Sequence, residues 1–524
     1  MKEGFRQSQA WLHTWSGLIV GWLLFMIFAT GTLSFFREEI TYWMQPELHS
    51  VSLPKDENQA VILERVFRQL SPKIEDASFL AITLPSDRNP TLKVNWFAAR
   101  QRGNLVFDPN TGNVIKPRAT VGGNFYYRMH YQLWYLSPFT GRIIICVVTL
   151  CMLIALITGI ITHKKIFKDF FVLRTHKGQR SWLDGHIISG VIALPFHLMI
   201  TFSGLIILIG FFMPWGNDAV YGQQRGKIYQ EAFNIPDFGE RASGIKQSMP
   251  SISSLLEQFN KVYPNQQLSF ITIYRPNQTN SKIVLTTDIA NTINPKGLVF
   301  NNQGEIVTEV NANGPAAATQ NTLSSLHRGH FANYGLRWLY FLSGIAGCFM
   351  TASGLILWFI KKQARLKKTS PNKQPFSHRL VQILNVTTIA GLCVALPSVL
   401  LTNRLLPTML EHRQRWEAHI FFIIWGLTLL YSIIRPYKKA WYELFALATI
   451  TCLAIPIINS LTTKDSLFQS ITQGNWQLAS VELIAITFAL LFAWLSYMIF
   501  HHNYHPKNHK VNSNAQLQQL VMDK

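Results

Sequence analysis

Long uncharged runs alternate with polar stretches along this chain, and the alternation sets its architecture. Trp11–Phe36, Ile143–Thr162, Ile187–Phe212 and Trp338–Ile360 are each apolar enough to cross a bilayer core of ~30 Å as a helix. Val381–Leu401, Ile420–Ile434, Trp441–Ile458 and Leu483–Phe500 follow with short connections. Between the first four runs lie two long polar segments with the same internal pattern. In the first, Gln59–Leu70 has helical periodicity, Phe79–Leu84, Thr91–Ala98 and Asn104–Phe107 alternate as strands do, and Asp108–Gly112 closes them with a turn. In the second, Ile252–Tyr263 is the helix, Leu268–Tyr274, Lys282–Thr287 and Gly297–Phe300 are the strands, and Asn301–Gly304 is the turn.

The pattern predicts an α-helical integral membrane protein of about eight transmembrane helices with two small α+β modules. Its segments are span one at 8–37, module one at 38–125, span two at 126–165, a loop at 166–181 and span three at 182–213. Module two at 214–325, span four at 326–362, a basic loop at 363–379, a four-helix extension at 380–500 and a tail at 501–524 complete it. The first run follows Lys2 and Arg6 but is longer than a signal-peptide core and has no small-x-small site after it, so it is read as an uncleaved span.

The first half repeats. Sliding span one onto span three so that His13 falls on His186 also puts Gly17 on Gly190, Thr30 on Ser203 and Gly31 on Gly204. Sliding span two onto span four puts Arg142 on Arg337, Thr158 on Ser353 and Gly159 on Gly354, and His130 and His327 precede these spans at nearly equal distance. A duplicated membrane unit commonly builds its site where the copies meet.

Composition agrees with a membrane chain: 48% hydrophobic, 13% aromatic and 14% charged residues. The net charge of +21 would suggest nucleic acid on a soluble protein. Here Lys164, Lys165, Lys168, Arg174, Lys177 and Arg180 fill one short loop and Lys361–Arg379 another, so the positive-inside rule accounts for much of it and places both termini in the cytoplasm. Arg404, Arg413 and Arg415 break that rule, partly offset by Glu411 and Glu417. The five cysteines fall within spans and form no CxxC, which excludes a disulfide framework. There is no HExxH, and no GxGxxG in a strand–turn–helix setting, so the chain itself binds neither catalytic zinc in that mode nor a dinucleotide.

Histidine depth carries the chemistry. An intramembrane histidine is costly and usually functional. His186 and His197 share span three, 11 residues or ~16.5 Å apart on a straight helix, and about 20° past three full turns, so both rings lie on one face. Two haems stacked across the membrane would account for that spacing. His13 and His163 lie at the cytoplasmic edge with His186, and His130 and His327 at the outer edge. The inner iron would take His186 with His13 or His163, and the outer iron His197 with His130 or His327; the sequence leaves both pairings open. His330 is a weaker candidate, and His13 or His163 taken singly is equally an interfacial histidine. His378, His412, His419, His501, His502, His505 and His509 are expected to be solvated or interfacial. Pro195 should loosen the helix beside His197. The glycines near these rings serve close helix packing as readily as a flat macrocycle.

LHTWSGLIVGWLLFMIFATGTLSFF, GIITHKKIFKDFF, SWLDGH…LPFHLMITFSGL and LHRGHFANYGLRWLYFLSG resemble the PepSY-associated transmembrane helix family over roughly residues 8 to 365. FDPNTGNVI looks like the end of a PepSY module. The resemblance implies two periplasmic PepSY-like modules in a multi-pass protein of the bacterial inner membrane. It implies a haem-containing ferric-siderophore reductase that passes electrons outward to release iron in the periplasm. The electron donor would be a quinol or a separate reductase, and the other partner the lipid bilayer. Arg102, Arg128, Arg225 and Arg275 are solvated surface or are available to attract an anionic chelate. The four spans after Arg379 are not part of the resemblance. A PepSY-based sensor and an iron or siderophore transporter are the rival readings, and the few charges within the spans speak against a transporter's proton relay.

Overall fold

The computed structural model describes residues 4–54, 59–74, 76–98, 101–163, 170–174, 178–222, 224, 226–237, 240–287, 296–369 and 374–504. Lys164, Lys165, Lys168, Lys177, Arg225 and the tail histidines His505 and His509 lie outside these residues. Two compact units form: residues up to Arg365 together with Pro407–Arg415, and Leu366–Leu406 together with the helices after Trp416.

Among the described residues seven helices are long and apolar enough to cross a membrane, and a bent pair makes an eighth crossing if counted as one span. In the first unit these are α1 (Phe5–Ser34), α4 (Pro138–Thr162), the pair α5 (Gln179–Ile192) and α6 (Leu194–Ile207), and α9 (Tyr334–Thr369). The helix α2 (Gln59–Ile74) belongs to the first α+β segment, and α3 (Asn124–Tyr131) leads into α4. The helix α7 (Ile252–Val262) belongs to the second, and α8 (Gly314–Arg328) leads into α9. Ser137 caps α4 by accepting from Thr140 N–H, with Pro138 at the first turn, so the chain enters that span at a fixed point.

The third span is not straight. Its halves meet at Ala193 with a bend of 67°. Pro195 has no N–H to donate and its ring crowds the turn before it, so a new helix starts there, with His197 N–H donating to Ala193 O at 2.8 Å. The sequence argument that His186 and His197 share a face assumed a straight rod, and the bend removes it.

The two α+β segments join edge to edge in one antiparallel sheet. Its strands are β1 (Ala77–Thr83), β2 (Leu92–Ala98), β3 (Gln101–Phe107), β4 (Val114–Ile115), β5 (Leu268–Tyr274), β6 (Lys282–Thr287), β7 (Gly297–Phe300) and β8 (Ile306–Val310). The order β4-β3-β2-β1-β5-β6-β7-β8 places β1 against β5, with Leu80 opposite Ile273 and Ile82 opposite Ile271. Two modules were expected, and the sequence did not say how they meet. Two sheets that each present an aliphatic edge strand bury it by pairing with each other, which also removes two exposed edges. The helices α2 and α7 turn Leu63, Val66 and Leu70, and Leu255, Leu256 and Phe259, onto that sheet at i, i+3/i+4 spacing, so one core serves both halves.

In the second unit, α10 (Phe376–Leu405), α11 (Arg413–Ile434), α12 (Tyr437–Thr462) and α13 (Trp476–His502) are the remaining crossings. A π-helical turn at Val386–Gly391 interrupts α10. Arg404, a charge that the positive-inside rule left unexplained, is buried in a hydrogen-bonded cluster. Its Nε donates to Asn459 Oδ1 and its Nη1 to Asn403 Oδ1, both at 2.7 Å; Asn403 donates to Glu417 at 2.8 Å and Asn459 to Glu482 at 2.6 Å. Arg413, which belongs to the first unit, is also buried, and donates to Ala119 O at 2.8 Å. His378, expected to be solvated, is buried at the start of α10.

Candidate functional site

Four of the six predicted histidines meet in two facing pairs. The His13 and His186 rings have centroids 6.3 Å apart, and the His130 and His327 rings 6.0 Å apart. Each pair joins residues that the repeat makes equivalent, so both sites lie where the two copies meet.

The four rings are held in one way. His13 Nδ1 lies 2.8 Å from Ala155 O, His130 Nδ1 2.9 Å from Ile27 O, and His186 Nδ1 2.9 Å from Met350 O. His327 Nδ1 lies 3.0 Å from Ser203 Oγ and also bonds the Ile200 carbonyl. A carbonyl only accepts, and Ser203 Oγ directs its own proton to Met199 O, so Nδ1 carries the proton in each ring and Nε2 keeps its lone pair. That is the tautomer a metal ligand needs, and a carbonyl on the other ring nitrogen is the usual means of fixing it.

Each accepting carbonyl stands four residues before a glycine: Ala155 before Gly159, Ile27 before Gly31, Met350 before Gly354 and Ile200 before Gly204. A Cβ would come within 2.6 Å of His130 at Gly31, 3.0 Å of His327 at Gly204, 3.1 Å of His13 at Gly159 and 3.2 Å of His186 at Gly354. Glycine is what lets the Nδ1–Cε1 edge of each ring come up against the neighbouring helix. The residue before each glycine is Thr158, Thr30, Ser353 or Ser203. Thr158, Thr30 and Ser203 turn their hydroxyls back to carbonyls of their own helix at the i−3 and i−4 positions, and Ser353 donates to the i−3 carbonyl, Met350 O, and lies 3.2 Å from His186 Nδ1. The repeat alignment contained this four-fold Ser/Thr-Gly signal, but read alone each glycine was uninformative.

Two cavities surround the pairs. The one on the side from which the strands extend has a volume of about 320 Å³ and is lined by His130 and His327 together with Tyr127, Tyr131 and His330. The one on the opposite side has a volume of about 460 Å³ and is lined by His13, His186, His163, Trp358 and Lys361. Leu24 and Met152 line both, so a wall one side chain thick separates them. His163 therefore shares its cavity with His13 and His186 without facing either ring as they face each other.

His197 does not join the strand-side pair, where His327 takes the place it was expected to fill. It is fully buried between Phe28 and Phe196, with ring centroids at 5.7 and 5.9 Å. Its Nε2 donates to Ser343 O at 3.3 Å, the opposite tautomer to the other four. The bend at Ala193 turned it from the face that His186 occupies.

His130, His327 and His330 lie outside the spans, and burial keeps them neutral. Burial pushes His327 down to about 3, with nearby His130 and Arg328 adding to the shift. Burial likewise pushes His330 down to about 4, reinforced by Arg328, and lowers His130 against the pull of its Ile27 hydrogen bond. Neutral imidazole is the form that binds metal.

Of the arginines read as solvated surface or as attracting an anion, Arg275 is buried against Glu240 at 2.9 Å and Arg128 stacks on Trp134 at 4.5 Å, while Arg102 is exposed on β3. The cations that do line the strand-side cavity are Arg37, Arg88, Arg142 and Arg328. No spacing rule pointed to them, because they come from four distant segments.

Residues 10–361 match the sequence profile of the family described as PepSY-associated TM region. An uncharacterized protein of Pseudomonas aeruginosa is 22% identical over 353 residues, covering 61% of this chain and 82% of that protein.

Proposed function

The chain belongs to the PepSY-associated TM region family, and on that premise we propose that it is a haem-containing reductase that passes single electrons across a bacterial inner membrane to ferric siderophores. The observation that carries this reading is the pair of facing histidine couples, each with Nδ1 tied to the neighbouring helix and Nε2 left for a metal. Two Nε2 atoms each about 2 Å from one iron stand about 4 Å apart, and the ring bodies bring the centroids to about 6 Å. The observed 6.3 and 6.0 Å fit that requirement. The two cavities supply space beside the rings. When bound, haem b supplies a one-electron couple at each site.

His13 and His186 hold the first site, and His130 and His327 the second. Leu24 and Met152 line both cavities and so keep the two sites close. The halves of the sheet are read as PepSY modules in the periplasm. Lys361, Lys362, Arg365, Lys367 and Lys368 at the far end of α9 support a cytoplasmic location for the opposite side. The donor there is a quinol or a separate reductase. A ferric siderophore reaching the strand side takes one electron per iron, and the resulting Fe(II) is held far less tightly by its chelate.

The test is anaerobic mixing of dithionite-reduced protein with a ferric siderophore and a ferrous-specific chelator. Reoxidation of the protein matched one-for-one by trapped Fe(II) supports the proposal. Reduced protein that stays reduced in the presence of ferric chelate contradicts it.

A further inference from the structure

The strand-side cavity carries positive charge that the protein does not balance. Four arginines line it. Arg37 pairs with Glu38 at 3.0 Å, and Arg88 makes a bidentate pair with buried Glu39 at 2.9 and 2.8 Å. Arg142 and Arg328 have no carboxylate within ion-pair distance among the described residues. Arg328 Nε reaches Ser324 O at 3.3 Å, and Arg142 Nη2 reaches the neutral Gln132 side chain at 3.2 Å.

The repeat makes Arg142 informative. Its equivalent in the second half is Arg337, which is tied to Glu39 at 3.2 Å. The offset that places His13 on His186 carries Glu39 onto Phe212, so the second half has no carboxylate to offer Arg142 in return. Arg142 lies instead between two aromatic rings, 4.4 Å from Phe211 and 5.4 Å from Tyr131. Its Nε is buried with no acceptor among the described residues. A buried guanidinium donor without an acceptor is costly, and a planar carboxylate is the partner its geometry fits best.

We propose that Arg142, with Arg328, binds the carboxylates of an anionic ligand in the strand-side cavity, and that these carboxylates are the propionates of the haem held by His130 and His327. This rests on the haem reading above. The two uncompensated guanidiniums match the two propionate charges, and they lie in the same cavity as the ligating rings. Arg142 is thereby a cofactor-positioning residue that also sets the local potential. A positive charge beside the propionates favours the reduced state, so its removal makes that site harder to reduce.

The experiment is an optical redox titration, with haem counted per chain, on the full-length wild type, Arg142→Gln, Arg142→Lys, Arg328→Gln and the exposed-surface control Arg102→Gln. In Arg142→Gln one of the two midpoints is expected to fall while the other stays, and haem transfer from that site to an apo-globin acceptor should speed up about tenfold or more, the scale of one charge-assisted bond. Arg142→Lys keeps the charge and should restore most of the midpoint but less of the retention, because the fork is lost. The unshifted second haem reports that the variant is folded. A wild type without haem overturns this inference together with the proposed function. A wild type with two haems whose midpoints and retention are unchanged in Arg142→Gln overturns this inference alone. So does an Arg142→Gln protein with normal haems and weakened binding of an anionic ferric chelate, which would assign the guanidinium to the substrate.

Discussion

At the scale of single residues, what separates the four facing histidines from His197 is the nitrogen that carries the proton. His13, His130, His186 and His327 give up Nδ1 to the neighbouring helix, whereas His197 gives up Nε2. Changing His130 or His327 to Ala should therefore cost one haem per chain, and changing His197 to Ala should leave both, as counted by pyridine haemochrome. Equal loss from all three variants would contradict the assignment. The glycines give a second expectation. Gly204→Val would push a branched side chain into the His327 ring, and overpacking of this kind costs about 1–3 kcal/mol. The His130–His327 site should empty while the His13–His186 site stays filled. Acidification gives a third. His327 is held down to about 3, far below the 6.5 of an ordinary histidine. Below pH 6.5 the unfolded chain takes up a proton that the native ring refuses, so this contribution to stability is intact above 6.5 and is lost progressively as pH falls towards 3. Denaturation midpoints of the haem-free protein in detergent should fall over that window, and His327→Leu should flatten the slope.

At the scale of elements, the apolar runs made the spans legible because a bilayer demands uncharged length, and α4, α9 and α12 enclose the predicted runs. The bend at Ala193 was half legible: Pro195 announced a disturbed ladder, but not a 67° turn that carries His197 off the His186 face. The pairing of His13 with His186 and of His130 with His327 was beyond sequence spacing, because it depends on how helices from two copies meet. The Ser/Thr-Gly pairs were visible as repeat matches, and only the rings lying on them disclosed their use. Strand positions followed from alternation, but the β1–β5 junction did not, since an edge strand's partner lies in another segment. Arg404 shows how a charge that breaks the positive-inside rule is accommodated, by Asn403, Asn459, Glu417 and Glu482 rather than by water. Arg404→Leu leaves buried carboxylates without that hydrogen-bonded centre and should destabilise the protein by about 3–5 kcal/mol. Lys439→Leu, at an exposed position, should have little effect in the same thermal melts.

At the scale of the whole molecule, the duplication explains why the sites come in twos. Each half brings one histidine to each level, so neither half alone completes a bis-histidine couple. The sheet repeats this logic, since its two halves close each other's edge through β1 and β5. The exchange is asymmetric at one point, Arg142, where the second half lacks the carboxylate that Glu39 provides to Arg337. The central claim is that the two facing histidine pairs each bind one haem b. The most direct test is a reduced-minus-oxidised optical spectrum of the purified full-length protein with haem quantified per chain. The account predicts b-type bands at close to two haems per chain, falling to about one in His186→Ala and in His327→Ala. A folded, full-length protein that binds no haem when haem is supplied would contradict it.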